Sequence, residues 1–400
     1  MRLTVGHVQG SDMIHSHAAA KQALRRIAFV TIGDSRKVGF WSGTPFHMAK
    51  SLAAEGHDVV HVGPLNAPIL PFYKAYSRVR RVFRGQRVSP FHAGPVVAQF
   101  AADAVKSVAA LSPDIVFAPA GSLFASAIPV GTPLVYASDA TFRLVENYHP
   151  NYRTMSPAAR ATAEQLERRT IARANLLLYP SEWAAESAIR EYGADPARVH
   201  VISWGANLAN PPPRASALGP RKDGPCRLLF IGADWREKGA DMAVATLAEL
   251  ANRGVDAELV ICGCTPPTPI ARKGLQIIPY LDKNDPEQLN RIDQLYHDAD
   301  IFLLPTQADC YGIVFCEAAA YGVPSIAPRT GGVSGAVSAG ETGLLLPPTA
   351  SSTDYATAIA EIFADPDRLS RLKQASRNAY EERLNWGIWS KRVSELIQSL

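Results

Sequence analysis

From Ile301 to Gly332 the chain runs in unbroken succession through an apolar strand, a proline stop, a polar loop, a glycine and a short apolar helix. The strand Ile301 to Leu304 ends at Pro305, the loop carries Asp309, and Gly312 opens a helix bearing Glu317. A second apolar strand, Ser325 to Ala327, then leads into Thr330-Gly331-Gly332. Strand, loop and helix in this order build a parallel sheet wound with helices. The order also sets free amides of a loop and a helix start beside two carboxylates, an arrangement suited to a diphosphate with hydroxyl-rich substituents.

The same alternation recurs along the chain. Arg26 to Ile32, His57 to Val62, Asp114 to Ala118, Pro133 to Tyr136 and Leu176 to Tyr179 read as strands with helices between them. The first helix starts at Thr44-Pro45, with Thr44 as its cap, and ends near Gly56. Residues 207–224, NLANPPPRASALGPRKDG, lose all apolar periodicity and read as an interdomain linker. A second series follows: Arg227 to Ile231, a helix from Ala240 to Arg253, Glu258 to Cys262, Leu275 to Ile278, then the two strands already named. A helical pattern after Tyr355 continues to Tyr380, and NWGIWSKRVSELIQSL closes the chain as an amphipathic helix. The expected organisation is a loosely ordered extension over 1–25, a first domain over 26–206, the linker 207–224, a second domain over 225–385 and a terminal helix over 386–400. At 400 residues and 47% hydrophobic, two cores suit the chain better than one. The fold class is α/β, with two doubly wound Rossmann-like domains facing across a cleft.

Several classes are excluded. Prolines 113, 119, 129 and 133 interrupt the most apolar region, Ser107 to Ala137, so it reads as strands and turns and not as a membrane span. Residues 1–25 lack the apolar core of a secretory signal. Five cysteines without a CxxC framework suit free thiols in a reducing compartment, and Cys262-Gly-Cys264 reads as a strand end. A net charge of +4 does not call for nucleic acid. The stretch 74–87 is nevertheless strongly basic, with Lys74, Arg78, Arg80, Arg81, Arg84 and Arg87 interleaved with Tyr76, Val79, Val82 and Phe83. Two readings stand for it: an anionic membrane surface as partner, or a solvated helix rim. There is no GxGxxG after a strand, no Walker loop and no HExxH. Asp298-Ala-Asp300 lies at the amino end of a strand and Asp365-Pro-Asp367 in a proline turn, so neither is expected to bind metal.

Asp309 and Glu317, two acidic residues separated by seven others and followed by a helix end and a Gly-Gly loop, resemble the signature of retaining glycosyltransferases of the GT-B fold, family 4 or group 1 type. The resemblance covers residues 27–400. It implies that Glu317 grips the ribose hydroxyls of a nucleotide-sugar, opening onto the cleft, and that Asp309 contacts the sugar, although the family usually has Glu there. Lys238, in the family's lysine-glycine signature, would neutralise the departing diphosphate. Arg236 would replace the arginine that relatives carry where this chain has Ala233. Gly43 and Thr44 would lie near the donor phosphate, and Cys310, Tyr311, Gly312, Gly331 and Gly332 would wrap the donor. Many relatives carry a glutamate at the place of Gly335. Asp139, after the fourth strand, has two readings: binding acceptor hydroxyls or the sugar, or capping the next helix. His149 is a further candidate near the cleft. Trp386 and Trp389 would anchor the terminal helix on the first domain.

The implied activity is metal-independent, retaining transfer of a hexose from a UDP- or GDP-sugar to an acceptor hydroxyl on a glycan, a lipid-linked molecule or a small molecule. The nucleotide-sugar is then a substrate, with no cofactor, in a cytoplasmic protein that can lie against the inner face of a membrane. The alternatives are a non-catalytic nucleotide-sugar binder, an epimerase and a phosphorylase.

Overall fold

The computed structural model describes residues 24–84, 89–153 and 155–400. Two six-stranded parallel sheets form the two lobes. The first has the order β2-β1-β3-β4-β5-β6, with β1 Arg26–Val30, β2 Asp58–Val62, β3 Ile115–Pro119, β4 Leu134–Ala137, β5 Leu176–Tyr179 and β6 Val199–Val201. The second has the order β12-β11-β10-β7-β8-β9, with β7 Cys226–Ile231, β8 Ala257–Cys262, β9 Leu275–Ile278, β10 Ile301–Leu303, β11 Ser325–Pro328 and β12 Gly343–Leu346. Helices cover both faces, so the inner strands β3, β4 and β5 are buried at every residue and read as unbroken apolar runs.

The strand order reverses beside β1 in the first sheet and beside β7 in the second. Crevices outside the carboxyl ends of parallel strands open at such reversals. The loops after β1, β4, β7 and β10 therefore converge on one space between the lobes, and all four follow strands recognised in the sequence.

Three helices of the first lobe are needed below: α1 (Thr44–Ala54), α2 (Leu70–Arg84) and α3 (Gly94–Leu111). Thr44 does not cap α1. Gly43, left-handed at φ 84°, takes that place, and Thr44 is a buried first-turn residue whose hydroxyl accepts a bond from Asn207 Nδ2 at 3.3 Å. The helical pattern after Tyr355 divides into Ser352–Phe363 and Pro366–Glu382, because Pro366 cannot donate a backbone bond and Asp365 caps the second helix through the Arg368 amide at 2.9 Å. The expected linker is not a loose tether. It contains a helical turn, Arg214–Ala217, and Arg377 donates to the Pro212 carbonyl at 2.9 Å. The expected extension over 1–25 lies outside the described residues except for Leu24 and Arg25.

The terminal helix Trp386–Ile397 lies on the first lobe. Trp389 meets Phe117 of β3 edge-on at 5.9 Å, Trp386 stacks with His47 of α1 at 6.4 Å, and Ser390 and Ser394 bond Glu55 and His57. Asn207 joins both chain crossings, accepting from Trp386 Nε1 at 3.0 Å and donating to the Ser42 carbonyl at 2.7 Å. One continuous apolar core thus runs from Phe29 and Phe117 through Trp389 to Phe230 in the second lobe. Among the described residues no helix is long and apolar enough to cross a membrane.

Candidate active site

A cavity of about 410 Å³ fills the space between the lobes, a size usual for small-molecule sites. The first lobe contributes Val38, Gly39, Trp41, Ser42, Thr44, Asp139 and Trp204; the second contributes Gly232, Lys238, residues 280–284, Asp309, Gly312 and Glu317. Trp41 and Ser42 at its edge both have positive φ, 45° and 55°, a conformation that costs side-chain-bearing residues energy and is held here by the Asn207 bond.

Lys238 sits at the end of the turn after β7. Its Nζ lies 2.9 Å from Asp309 Oδ2, 3.3 Å from the Ala308 carbonyl and 3.7 Å from the Glu237 carboxylate. Burial works against its charge, but Asp309 and Glu237 more than offset that and hold the ammonium above the usual lysine range. The cation expected to neutralise a diphosphate is therefore in the cavity and is paired with Asp309.

Arg236, two residues earlier, is not in the cavity. It is exposed and faces a separate groove with Trp235, Thr265 and Pro267. The turn sends neighbouring side chains to opposite sides, so Arg236 lies outside the cavity that Lys238 enters, where the expected charge role would have placed it.

Glu317 lines the cavity but does not open freely onto it, being 1% exposed. Its two oxygens are taken by Lys283 Nζ at 2.8 Å and Tyr296 Oη at 3.0 Å. A carboxylate has about four lone-pair sites, so two remain to accept hydroxyls, and the two bonds already made fix its plane. Neither Lys283 nor Tyr296 was expected from the sequence. Lys283 had a usable signal, since it lies in the loop that follows the carboxyl end of β9.

Two first-lobe residues cross the cleft from the end of α4 (Phe142–Tyr148). The Tyr148 hydroxyl accepts the Asp309 amide at 2.7 Å and pairs with the Thr330 hydroxyl at 3.1 Å. His149 Nε2 lies 3.3 Å from Glu237 and, through it, next to Lys238. This pair of contacts ties both second-lobe donor loops to the first lobe.

Asp139 is not a cap, because α4 starts after Thr141. Burial, with Asp309 adding to it, raises its carboxyl to about 7 against the opposing pull of His149 and Lys238. A group balanced near neutrality on a cavity wall can take or give a proton at physiological pH.

The glycine loop serves packing more than lining. A Cβ on Gly331, at φ 51°, would meet the Asp309 carbonyl at 2.2 Å, and one on Gly332 would meet the Cys310 carbonyl at 2.0 Å. These two glycines and Cys310 press one loop on the other and do not line the cavity. Gly335 sits against the first lobe, where a Cβ would meet the Pro180 carbonyl at 2.8 Å and Ser181 at 2.9 Å, which leaves no space for the glutamate of many relatives. Tyr311 is buried and donates to the Trp204 carbonyl at 3.3 Å. Gly43 lies behind the wall formed by Ser42 and Thr44. Of the acidic pairs read as decoys, Asp298 bonds Lys222, and Asp300 bonds Arg221 and the Arg227 amide at 3.0 Å each, all at the amino end of the sheet. Among the described residues no group of three or more metal-ligating side chains comes together.

Two family models match the chain, one over each lobe. The family model "Glycosyltransferase Family 4" matches residues 45–210 and "Glycosyl transferases group 1" matches residues 217–379. D-inositol 3-phosphate glycosyltransferase of Rhodococcus jostii (strain RHA1) is 31% identical over 275 residues, 64% of this chain and 59% of its own. The enzyme of the same description from Rhodococcus opacus (strain B4) is 30% identical with the same shares. The chain thus spans about 59% of the length of these curated relatives. Among solved structures, sucrose-phosphate synthase from Thermosynechococcus elongatus superposes with a TM-score of 0.68 at 18% identity, over 94% of this chain and 98% of that one. Anabaena HepE in complex with UDP-glucose gives 0.62 at 15%, over 94% and 100%. These likenesses establish the fold.

Proposed function

Because this chain belongs to the family-4 and group 1 glycosyltransferases, we propose that it is a metal-independent, retaining hexosyltransferase that moves a sugar from a UDP- or GDP-linked donor to an acceptor hydroxyl. The observation that carries this reading is the placement of Lys238, Asp309, Glu317 and Asp139 around one interlobe cavity. Glu317, oriented by Lys283 and Tyr296, takes the ribose hydroxyls. Lys238 exchanges Asp309 for the diphosphate, and the first free amides of the Ile313–Ala320 helix, opening at Gly312, point the same way. Preorganised donors of this kind each contribute roughly 3 kcal/mol to transition-state stabilisation.

As the bond from the anomeric carbon to the diphosphate breaks, the acceptor oxygen bonds to that carbon on the same face. The acceptor proton goes to the departing phosphate oxygen. Asp309 and Asp139 hold sugar and acceptor hydroxyls, and the Tyr148 and His149 contacts close the lobes against water. The UDP-glucose complex of HepE supports a UDP donor, and the curated relatives' names support a hydroxyl acceptor on a polyol. The protein acts in the cytoplasm, with the basic stretch 74–87 as a peripheral contact with a membrane's inner face.

The test is incubation with UDP- and GDP-hexoses and a mixture of glycan, polyol and lipid-linked acceptors, reading nucleoside diphosphate release and the anomeric configuration of the product. Release with retained configuration is expected. Binding of a donor without release above background in any mixture makes the protein a binder. Release of sugar phosphate on addition of inorganic phosphate makes it a phosphorylase.

A further inference from the structure

Helix α2 departs from every other described helix in what it leaves uncovered. Among the described residues, five of the eight exposed large hydrophobic side chains lie on it: Phe72, Tyr76, Val79, Val82 and Phe83. Phe72, Tyr76, Val79 and Phe83 are spaced by four, three and four residues, which sets them along one stripe of a helix about 22 Å long. Phe83 and Val82 are 80% and 78% exposed. The opposite side of the helix is spoken for, since Leu70 and Tyr73 pack on the first-lobe core. The segment leading into α2 is fastened as well, with the Asn66 amide on Asp103 at 2.8 Å and the Ile69 amide on Gln99 at 3.0 Å, both on α3. The stripe is thus held facing outward by the fold.

Its charge is of one sign. Lys74, Arg78, Arg80, Arg81 and Arg84 belong to the same helix, which contains no acidic residue. A solvated rim has no use for five exposed apolar side chains, and a protein partner of ordinary composition has no need of five cations. An apolar stripe on a helix whose charges are all positive matches an anionic lipid surface, where the stripe enters the acyl boundary and cations meet headgroups.

Topology adds a position. The chain leaves β2 at its carboxyl end and returns to β3 only through α3, so residues 63–84 and 89–93 stand at the end of the first sheet where the cavity opens.

We propose that the outward stripe of α2 docks on an anionic lipid bilayer and holds the mouth of the interlobe cavity close to the headgroups. The inference rests on the peripheral contact within the functional reading and makes no use of its chemistry, so the two are tested apart. Full-length protein is pelleted with vesicles of phosphatidylcholine alone and of phosphatidylcholine with phosphatidylglycerol, at low and high salt. Binding to the phosphatidylglycerol vesicles, weakened by salt, and absence from the neutral ones is expected. The double variant Phe72→Ser/Phe83→Ser loses tenfold or more of that affinity. Lys74→Glu/Arg78→Glu loses at least fivefold for each reversed cation, which corresponds to about 1 kcal/mol apiece.

Both variants keep wild-type nucleoside diphosphate release in the absence of vesicles, since neither touches the cavity. The inference is overturned if wild-type protein stays in the supernatant with both vesicle types. It is also overturned if the double variants pellet like wild type, or if Phe72→Ser/Phe83→Ser changes only the oligomeric state by light scattering, which makes the stripe a contact between copies of the chain. Loss of diphosphate release in every protein, with vesicle binding retained, overturns the enzymatic reading and leaves the docking surface standing.

Discussion

The amide of Asp309 donates to the hydroxyl of Tyr148 at 2.7 Å, from one lobe to the other across the cavity. The same hydroxyl meets Thr330 at 3.1 Å and leaves Gly331 no room for a side chain, so one phenol sets the spacing of two second-lobe loops. Tyr148→Phe keeps the ring on Trp183, 5.4 Å away, and removes only the polar contacts. The hydroxyl also reaches the Asp309 carbonyl at 3.2 Å, and neutral hydrogen bonds of this kind contribute about 1 kcal/mol each. The expected outcome is a fall of roughly tenfold or more in kcat/KM for the donor with little change in thermal midpoint. Steady-state kinetics beside a melting curve separates this from a loss of fold, and an unchanged kcat/KM removes Tyr148 from the positioning of Asp309.

Lys238→Ala takes away the cavity cation held against Asp309 and leaves that carboxylate facing the diphosphate without a partner. Turnover is expected to fall by about 10² or more, the usual cost of removing one preorganised charge-stabilising donor. Arg236→Ala, in the outer groove, is expected to stay within about twofold of wild type. Single-turnover rates for both variants decide between the two cations, and equal losses would reject the assignment of the diphosphate to Lys238 alone.

The difference between Lys238 and Arg236 shows where reading a sequence stops. Lys238, Asp309 and Glu317 were legible because each is fixed by local order: a turn after a strand, a loop after a strand, one face of the short helix behind it. Inner strands such as Ile115–Pro119 were legible because burial on both faces demands an unbroken apolar run. The edge strands Val199–Val201 and Gly343–Leu346 escaped notice, being short and only partly buried. Tyr148 meets Asp309 across 161 residues, and Lys283 meets Glu317 across 34, so no local spacing announces either pair. Arg236 was misplaced because its neighbour Trp235 is buried, which turns the arginine outward. Gly335 shows the converse, a departure from the family pattern explained by the close approach of Pro180 and Ser181.

Lys283 is the strongest of the unforeseen contacts, because it neutralises a carboxylate that is otherwise buried with a tyrosine. Lys283→Met removes the charge and keeps the apolar stem. The carboxylate then loses the charge-assisted bond that fixes its plane, and its oxygens are held less firmly for the ribose hydroxyls. Nucleotide affinity is expected to weaken by about tenfold at neutral pH, in line with the loss of one charge-assisted bond. Calorimetric titration with nucleoside diphosphate measures the loss. Tighter binding by the variant would mean that Lys283 occupies the nucleotide's place and must be displaced.

A second buried carboxyl lies away from the cavity. Glu167, 4% exposed, accepts the Tyr136 hydroxyl on both oxygens at 3.0 and 3.1 Å, and burial raises its carboxyl from 4.5 to about 7. The folded protein thus keeps this proton when the unfolded chain has lost it. Stability from this group is greatest below pH 4.5, declines as pH rises to about 7, and is constant above. Glu167→Gln stays neutral and its amide oxygen still accepts from Tyr136. The variant is therefore expected to match the wild type near pH 4.5 and to gain on it steadily up to about pH 7, by on the order of 3 kcal/mol. Asp139 titrates over the same window, but it is present in both proteins and cancels in the difference. Urea unfolding of the pair across this range checks the slope, and a difference that does not vary with pH would mean that Glu167 ionises in the folded protein as it does in the unfolded one.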